Sequence, residues 1–343
     1  MTSKARKALR QAQLLARQGR APEAAALYQR IAAAFPGSAE ARQALAALNR
    51  GAGTADPAAE LRFLYARGQH AAVVEGAARL PGAAQRSPAV QNLVGAAEMA
   101  RGRPERAEAA FRQSIKAAPD RAAGYHNLGL ALRAQGRLAE ARSAFDQALR
   151  LRPDYGDAQN GLGMVLRDEG DIAGAEAAFE TASRLKPEDP EIWTNLGNMH
   201  KQRSDFEAAF AAYGKALSLA PQHANAHYNF ALALKAAGRL AEAVEHYRAA
   251  VAANPGFAPA HNNHGNALRA LGRFPEAETA HRRAVELDPS DGEAHTNLGY
   301  ALQSMGRFDE AAEAYAAALA ADPGQDMARA ARLYLLAQMC DWR

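Results

Sequence analysis

Residues 190–223 read PEIWTNLGNMHKQRSDFEAAFAAYGKALSLAPQH, and residues 224–257 read ANAHYNFALALKAAGRLAEAVEHYRAAVAANPGF. Laid one over the other they share an asparagine at position 6 (Asn195, Asn229), an alanine at position 20 (Ala209, Ala243), a tyrosine at position 24 (Tyr213, Tyr247) and a proline at position 32 (Pro221, Pro255). The register runs in both directions without an insertion: Pro119, Pro153, Pro187, Pro289 and Pro323 stand at the same 34-residue interval. Self-similarity at a fixed period of this length is the mark of a stacked repeat architecture.

Each column has a mechanical reading. Position 15 is Gly102, Gly136, Gly170, Gly238, Gly272 and Gly306, with Ser204 the exception, and glycine there permits the left-handed backbone that ends a helix in a tight turn. Position 20 is alanine throughout (Ala107, Ala141, Ala175, Ala209, Ala243, Ala277, Ala311), and position 24 is a ring: Phe111, Phe145, Phe179, Tyr213, Tyr247, His281, Tyr315. Position 8 is small (Gly95, Gly129, Gly163, Gly197, Ala231, Gly265, Gly299). It is expected to face the small position 20, so that the two helices of a repeat touch, while the ring fills space toward the next repeat. The proline stops the second helix. One unit is then a helix-turn-helix that cannot bury its apolar face alone, and stacking supplies the core. The fold expected is all-α: a right-handed superhelical solenoid of about nine repeats.

The frame weakens toward the N-terminus. Residues 1–50 hold one good unit (Gly19, Ala24, Tyr28, Pro36) plus an extra helix, 51–57 read as a loop and hinge, and 58–121 carry two degenerate repeats that include Gly68. The six regular repeats fill 122–325, and 326–343 reads as a closing helix and a junction to further sequence.

Composition narrows the function. The 343 residues are 48% hydrophobic and 23% charged with net charge +4, which makes no demand for nucleic acid. The only cysteine is Cys340, so neither a disulfide framework nor a Cys/His metal cluster has material. No apolar run suggests a membrane span and the N-terminus lacks a secretory core, so a cytoplasmic setting is expected. No Walker loop or nucleophile context is present, so no cofactor and no catalysis are expected of these residues.

Two columns of the first helix are candidate binding residues. Position 6 is Asn127, Asn195, Asn229, Asn263 and Asn297, interrupted by Gly161, with Asn198 and Asn266 one turn on. An amide carries donors and an acceptor and can read the backbone of an extended peptide whatever its side chains. Stacked helices lie roughly 8–10 Å apart and an extended chain advances about 3.3 Å per residue, so one asparagine would meet the ligand about every third residue. Asparagine is a mediocre helix former, which argues against mere solvation, although repeat duplication also copies residues. Position 12 is basic (Arg133, Arg167, Lys201, Lys235, Arg269), suited to acidic partner segments or, more simply, to the helix dipole. His227, His261 and His295 share position 4 and, with His200 and His281, read as packing residues. His264 stands where most repeats have leucine.

These columns resemble the tetratricopeptide repeat family over most of the chain, a family whose first helices line a concave, protein-binding surface. The NLG string at 127–129, NLGN at 195–198 and the end LYLLAQMCDWR resemble more narrowly the repeat arm of protein O-linked N-acetylglucosamine transferases, the SPINDLY-like glycosyltransferases. That resemblance implies that the asparagines hold acceptor proteins, and that a catalytic region follows Cys340, Asp341 and Trp342. The alternatives are a free-standing scaffold or the arm of a different effector. Whether two arrays pair through their convex faces is left open.

Overall fold

The computed structural model describes residues 3–17, 20–34, 38, 40, 41, 43, 44 and 58–338. Gly19, Pro36, the expected hinge 51–57 and the Cys340–Trp342 triplet lie outside the described residues. Those described are helical, with no strand among them. They divide into two compact units, Met1–Pro119 and Asp120–Arg343.

In the first unit the helix pairs are Ser3–Arg17 with Ala21–Ala34, Ala59–Ala66 with His70–Ala78, and Pro88–Ala100 with Pro104–Ala117. A four-residue helix, Gly82–Gln85, precedes the last pair. The middle pair is short, as expected of a degenerate repeat. In the second unit the first helices are Ala122–Ala134, Gly156–Glu169, Pro190–Gln202, Ala224–Ala236, Ala258–Ala270 and Gly292–Ser304. Their partners are Leu138–Leu151, Ile172–Leu185, Phe206–Leu219, Leu240–Ala253, Phe274–Leu287 and Phe308–Ala321. Asp326–Gln338 closes the stack on the last repeat, with Ala328 and Leu335 buried. The first helices Ala122–Ala134 and Gly156–Glu169, Pro190–Gln202 and Ala224–Ala236, and Ala258–Ala270 and Gly292–Ser304 also lie against one another, whereas no two second helices do so to the same extent among the described residues.

Each turn inside a repeat is the same construction. The position-16 N–H donates back to the position-11 carbonyl (Arg137 to Leu132 at 3.0 Å, Arg239 to Leu234 at 2.8 Å), a Schellman closure around a residue of positive φ. Glycine supplies that φ at Gly136 (74°) and Gly238 (78°), but Ser204 is forced to 60°, the only non-glycine with positive φ among the described residues. A left-handed residue with a Cβ costs roughly 1–2 kcal/mol, so Ser204→Gly should raise stability by about 1 kcal/mol in urea unfolding. No gain would mean that the serine is relieved by something other than backbone geometry.

In the second unit the second helix then starts in one of two ways. Asp171 and Asp205 cap it directly, accepting from the N–H of Gly174 (2.9 Å) and Ala208 (3.2 Å). Where position 16 is arginine and position 19 glutamate, the guanidinium forks onto that glutamate: Arg137–Glu140, Arg239–Glu242, Arg273–Glu276, Arg307–Glu310, and in the first unit Arg20–Glu23, whereas Arg103, followed by Arg106, turns back to Glu98. The position-19 glutamate sits in the first turn, where the helix dipole favours negative charge.

The core differs from the expected contact in one respect. The small position 8 makes room for the position-24 ring, not chiefly for the position-20 alanine. A Cβ at Gly129 would lie 2.8–2.9 Å from three atoms of Phe145, and one at Gly299 2.4–2.9 Å from three atoms of Tyr315. The physical reason is size: Phe111, Phe145, Phe179, Tyr213, Tyr247 and Tyr315 are the largest fully buried groups and reach across to the first helix, while the alanine, also fully buried, only permits the approach.

Candidate functional site

Repeats are joined by a contact that sequence reading took for packing. At position 4 the Nε1–H of Trp193 donates to the Pro187 carbonyl (2.8 Å), and Nε2 of His227, His261 and His295 meets the carbonyls of Pro221, Pro255 and Pro289 at 3.0–3.1 Å. Gln91 does the same to Gln85 in the first unit, and Arg329 to Pro323 at the closing helix. A carbonyl only accepts, so each of these imidazoles carries its proton on Nε2. What unites Gln91, Trp193, the three histidines and Arg329 is a side-chain N–H that satisfies a carbonyl left over at the end of the previous repeat, whereas Tyr125 and Gln159 at the same position make no such hydrogen bond among the described residues.

The asparagine column lies along the first-helix face, and each rung but one is already half engaged. Asn195 Nδ2 donates to Asn160 Oδ1 of the preceding repeat (3.0 Å), Asn263 to the Tyr228 hydroxyl (3.1 Å) and Asn297 to Asn262 Oδ1 (3.1 Å). The link runs from position 6 back to position 5. Where position 5 is Thr194, its hydroxyl turns to the Pro190 carbonyl, and Asn229 donates instead to its own helix at Asn225 (2.9 Å). Asn263 also donates to the Pro259 carbonyl, which fixes its amide orientation as the Asn225 carbonyl fixes that of Asn229. Asn127 makes no side-chain hydrogen bond among the described residues. The column therefore commits one N–H of Asn195, Asn229 and Asn297 and two of Asn263 internally, and no protein donor reaches the Oδ1 atoms of these four residues.

The neighbours one turn on are placed differently. Asn198 Oδ1 accepts from the Tyr213 hydroxyl (2.7 Å) inside its own repeat, and Asn266 Oδ1 is buried without a protein partner. Gly161 interrupts the column because a Cβ there would sit 2.3 Å from the Phe145 ring.

The basic column divides. Arg133 and Arg167 share the single Asp168 carboxylate, at 2.7 and 3.0 Å, so each is engaged in an ion pair. Lys201 and Lys235 have no carboxylate within ion-pairing distance among the described residues, and burial holds the Lys201 ammonium below its usual pKa. Arg269 lies over the Tyr300 ring, 5.6 Å from its centre. The uncommitted cations thus fall in the three repeats that also carry Asn195, Asn229 and Asn263.

His264 borders an open cleft of about 720 Å³ with His261, Glu276 and Arg283, and burial pushes its pKa down to about 4. Among the described residues no group of three His, Cys, Asp or Glu is placed to hold a metal, and no helix is long and apolar enough to cross a membrane.

No curated protein matches the sequence. Solved structures do match the fold. One is the APC/C hetero-tetramer Cut9-Hcn1, at TM-score 0.63 and 18% identity, covering 92% of this chain. Against that structure the chain spans 63% of the other's length. A second is Pseudomonas aeruginosa pilF (TM-score 0.56, 17% identity, 62% of this chain and 97% of that one). A third is a tetratricopeptide repeat protein from Parabacteroides merdae (0.51, 16%, 73% and 99%). At these identities the likeness is one of fold. Family models described as tetratricopeptide repeat match residues 8–38, 95–156, 132–197, 190–223, 224–257 and 262–326. The chain belongs to the tetratricopeptide repeat family and is a protein-binding scaffold of that type.

Proposed function

We propose that the first-helix face of the second unit holds extended, acid-bearing polypeptide segments, with Asn195, Asn229, Asn263 and Asn297 accepting from the N–H groups of the bound backbone. The observation that carries this reading is the asymmetry within each amide: Nδ2 donates to the protein in all four, while Oδ1 accepts from no protein group. A row of acceptors at repeat spacing suits a strand's N–H groups and ignores its side chains. Lys201, Lys235 and Arg269 supply attraction for acidic side chains along the same stretch.

The NLG and NLGN strings and the Cys340-Asp341-Trp342 end support a narrower proposal: that this face recruits acceptor proteins for an O-linked N-acetylglucosamine transferase-like enzyme, in a cytoplasmic setting. A free-standing adaptor uses the same face, and a transferase sequence following Arg343 in the gene separates the two.

The test is binding of arrayed acidic peptides to the full chain, each paired with a version methylated on alternate backbone nitrogens. Methylation should weaken capture at least tenfold, as should the combined variant Asn195→Ala, Asn229→Ala, Asn263→Ala. Asn160→Ala with Tyr228→Phe breaks the same inter-repeat hydrogen bonds and keeps the ladder, so capture should survive it. Equal loss in both variants would assign the column a purely structural role.

A further inference from the structure

Four side-chain polar atoms are buried without a protein partner in a short stretch of the second unit: Tyr247 Oη, Asn266 Oδ1, Arg269 Nε and His281 Nε2. Three of them converge by register. Position 24 of a repeat reaches position 9 or position 12 of its own first helix: the Tyr213 hydroxyl donates to Asn198 (position 9) at 2.7 Å, and the Tyr315 hydroxyl to Gln303 (position 12) at 2.7 Å. In repeat 258–291 position 24 is His281, and positions 9 and 12 are Asn266 and Arg269. An imidazole is shorter than a phenol, so the point that a phenolic oxygen occupies in those repeats lies just past the His281 ring, beside Asn266 and Arg269.

The donors and acceptors around that point are determined. His281 Nδ1 lies 3.0 Å from Asn262 Oδ1, which also accepts from Asn297 Nδ2. An amide oxygen only accepts, so the His281 proton is on Nδ1 and Nε2 offers a lone pair. Burial keeps the ring neutral by pushing its pKa down to about 3. Nε2 and Asn266 Oδ1 each require a donor, and the Nε–H of Arg269 requires an acceptor. A peptide hydroxyl has one proton to give, an ammonium has no lone pair, and a metal cation is repelled by the guanidinium. A water molecule donates twice and accepts at least once, and a buried water with about three such partners is a regular structural component.

We propose that repeat 258–291 contains a water-binding site formed by His281 Nε2, Asn266 Oδ1 and Arg269 Nε, in which one ordered water replaces the phenolic oxygen of its neighbours. The site continues the chain Asn297–Asn262–His281 inward from the asparagine column, so the water fixes the ring that holds two of the amides on that face. His281→Tyr restores the pair seen at Tyr213 and Asn198, because Asn266 stands where Asn198 does and Gly265 leaves the same room for a ring as Gly197.

The experiment is a crystal structure of the full chain at a resolution that orders internal waters, with melting curves for His281→Tyr and His281→Phe. We expect a water peak within hydrogen-bond distance of all three atoms in the wild type. The tyrosine variant should lose that peak and melt at or above the wild-type temperature. The phenylalanine variant should melt several degrees lower, since it offers neither Asn266 nor Arg269 a partner. An absent peak, or tyrosine and phenylalanine variants that melt alike, would overturn the proposal.

Discussion

A chain carrying Phe145→Ala should lose about 3–5 kcal/mol of unfolding free energy, the usual cost of removing a fully buried phenylalanine. The ring is completely buried and is the meeting point of two repeats: it fills the notch above Gly129 in its own repeat and presses on Gly161 in the next. Its removal leaves both walls without a partner. Because each repeat contacts only its neighbours, the damage should concentrate there. Hydrogen exchange should accelerate most across residues 122–189, and the loss should appear in urea unfolding followed by circular dichroism. A cost below about 1.5 kcal/mol would mean that the neighbouring side chains collapse into the space.

The same contact accounts for the gap in the asparagine column. Gly161→Ala adds helix propensity of about 1 kcal/mol, but its methyl would run into the Phe145 ring, and overpacking of this kind costs roughly 1–3 kcal/mol. A net loss is expected in the wild type and a net gain in the Phe145→Ala background. Equal effects in the two backgrounds would separate Gly161 from the ring and leave the gap without this explanation.

Lowering the pH from 7 to 5 should destabilise the second unit by roughly 5 kcal/mol through its buried histidines. Burial pushes His126 and His264 down to about 4 and His281 to about 3. A folded pKa below the unfolded value means that the unfolded chain binds more protons in the window between them. Stability is therefore full above about 6.5 and falls as the pH drops toward 4. Each group contributes up to about 1.4 kcal/mol per pH unit in that window, which lies above the ordinary carboxylate range. His264→Leu restores the residue found at Leu128, Leu162, Leu196 and Leu298 and should reduce the slope by about a third. A flat profile between pH 6.5 and 5 would show that these rings admit protons while folded.

The architecture was legible because the repeat writes each contact many times. One glycine is ambiguous, but seven turn residues at a constant interval demand a positive φ, and Ser204 adopts it even at a cost. The binding face was legible to the same degree, since a helical period places position 6 on one side of every first helix. The sequence alone thus determined the paired helices, the turn geometry, the register and the candidate column.

The direction in which each group is used was decided only by tertiary structure. Position 8 serves the ring rather than the alanine because fit in a core depends on volume across the interface, which a column of residue types does not display. Position 4 proved to donate in the four consecutive repeats from Trp193 to His295, and the Asp168 carboxylate answers Arg133 across a repeat boundary. The asparagines illustrate the distinction most clearly. Their recurrence is a property of the sequence, but an amide can donate or accept. Only the placement of Asn160, Tyr228 and Asn262 in the adjacent repeat gives Asn195, Asn263 and Asn297 an acceptor for an N–H and leaves their oxygens without a protein donor.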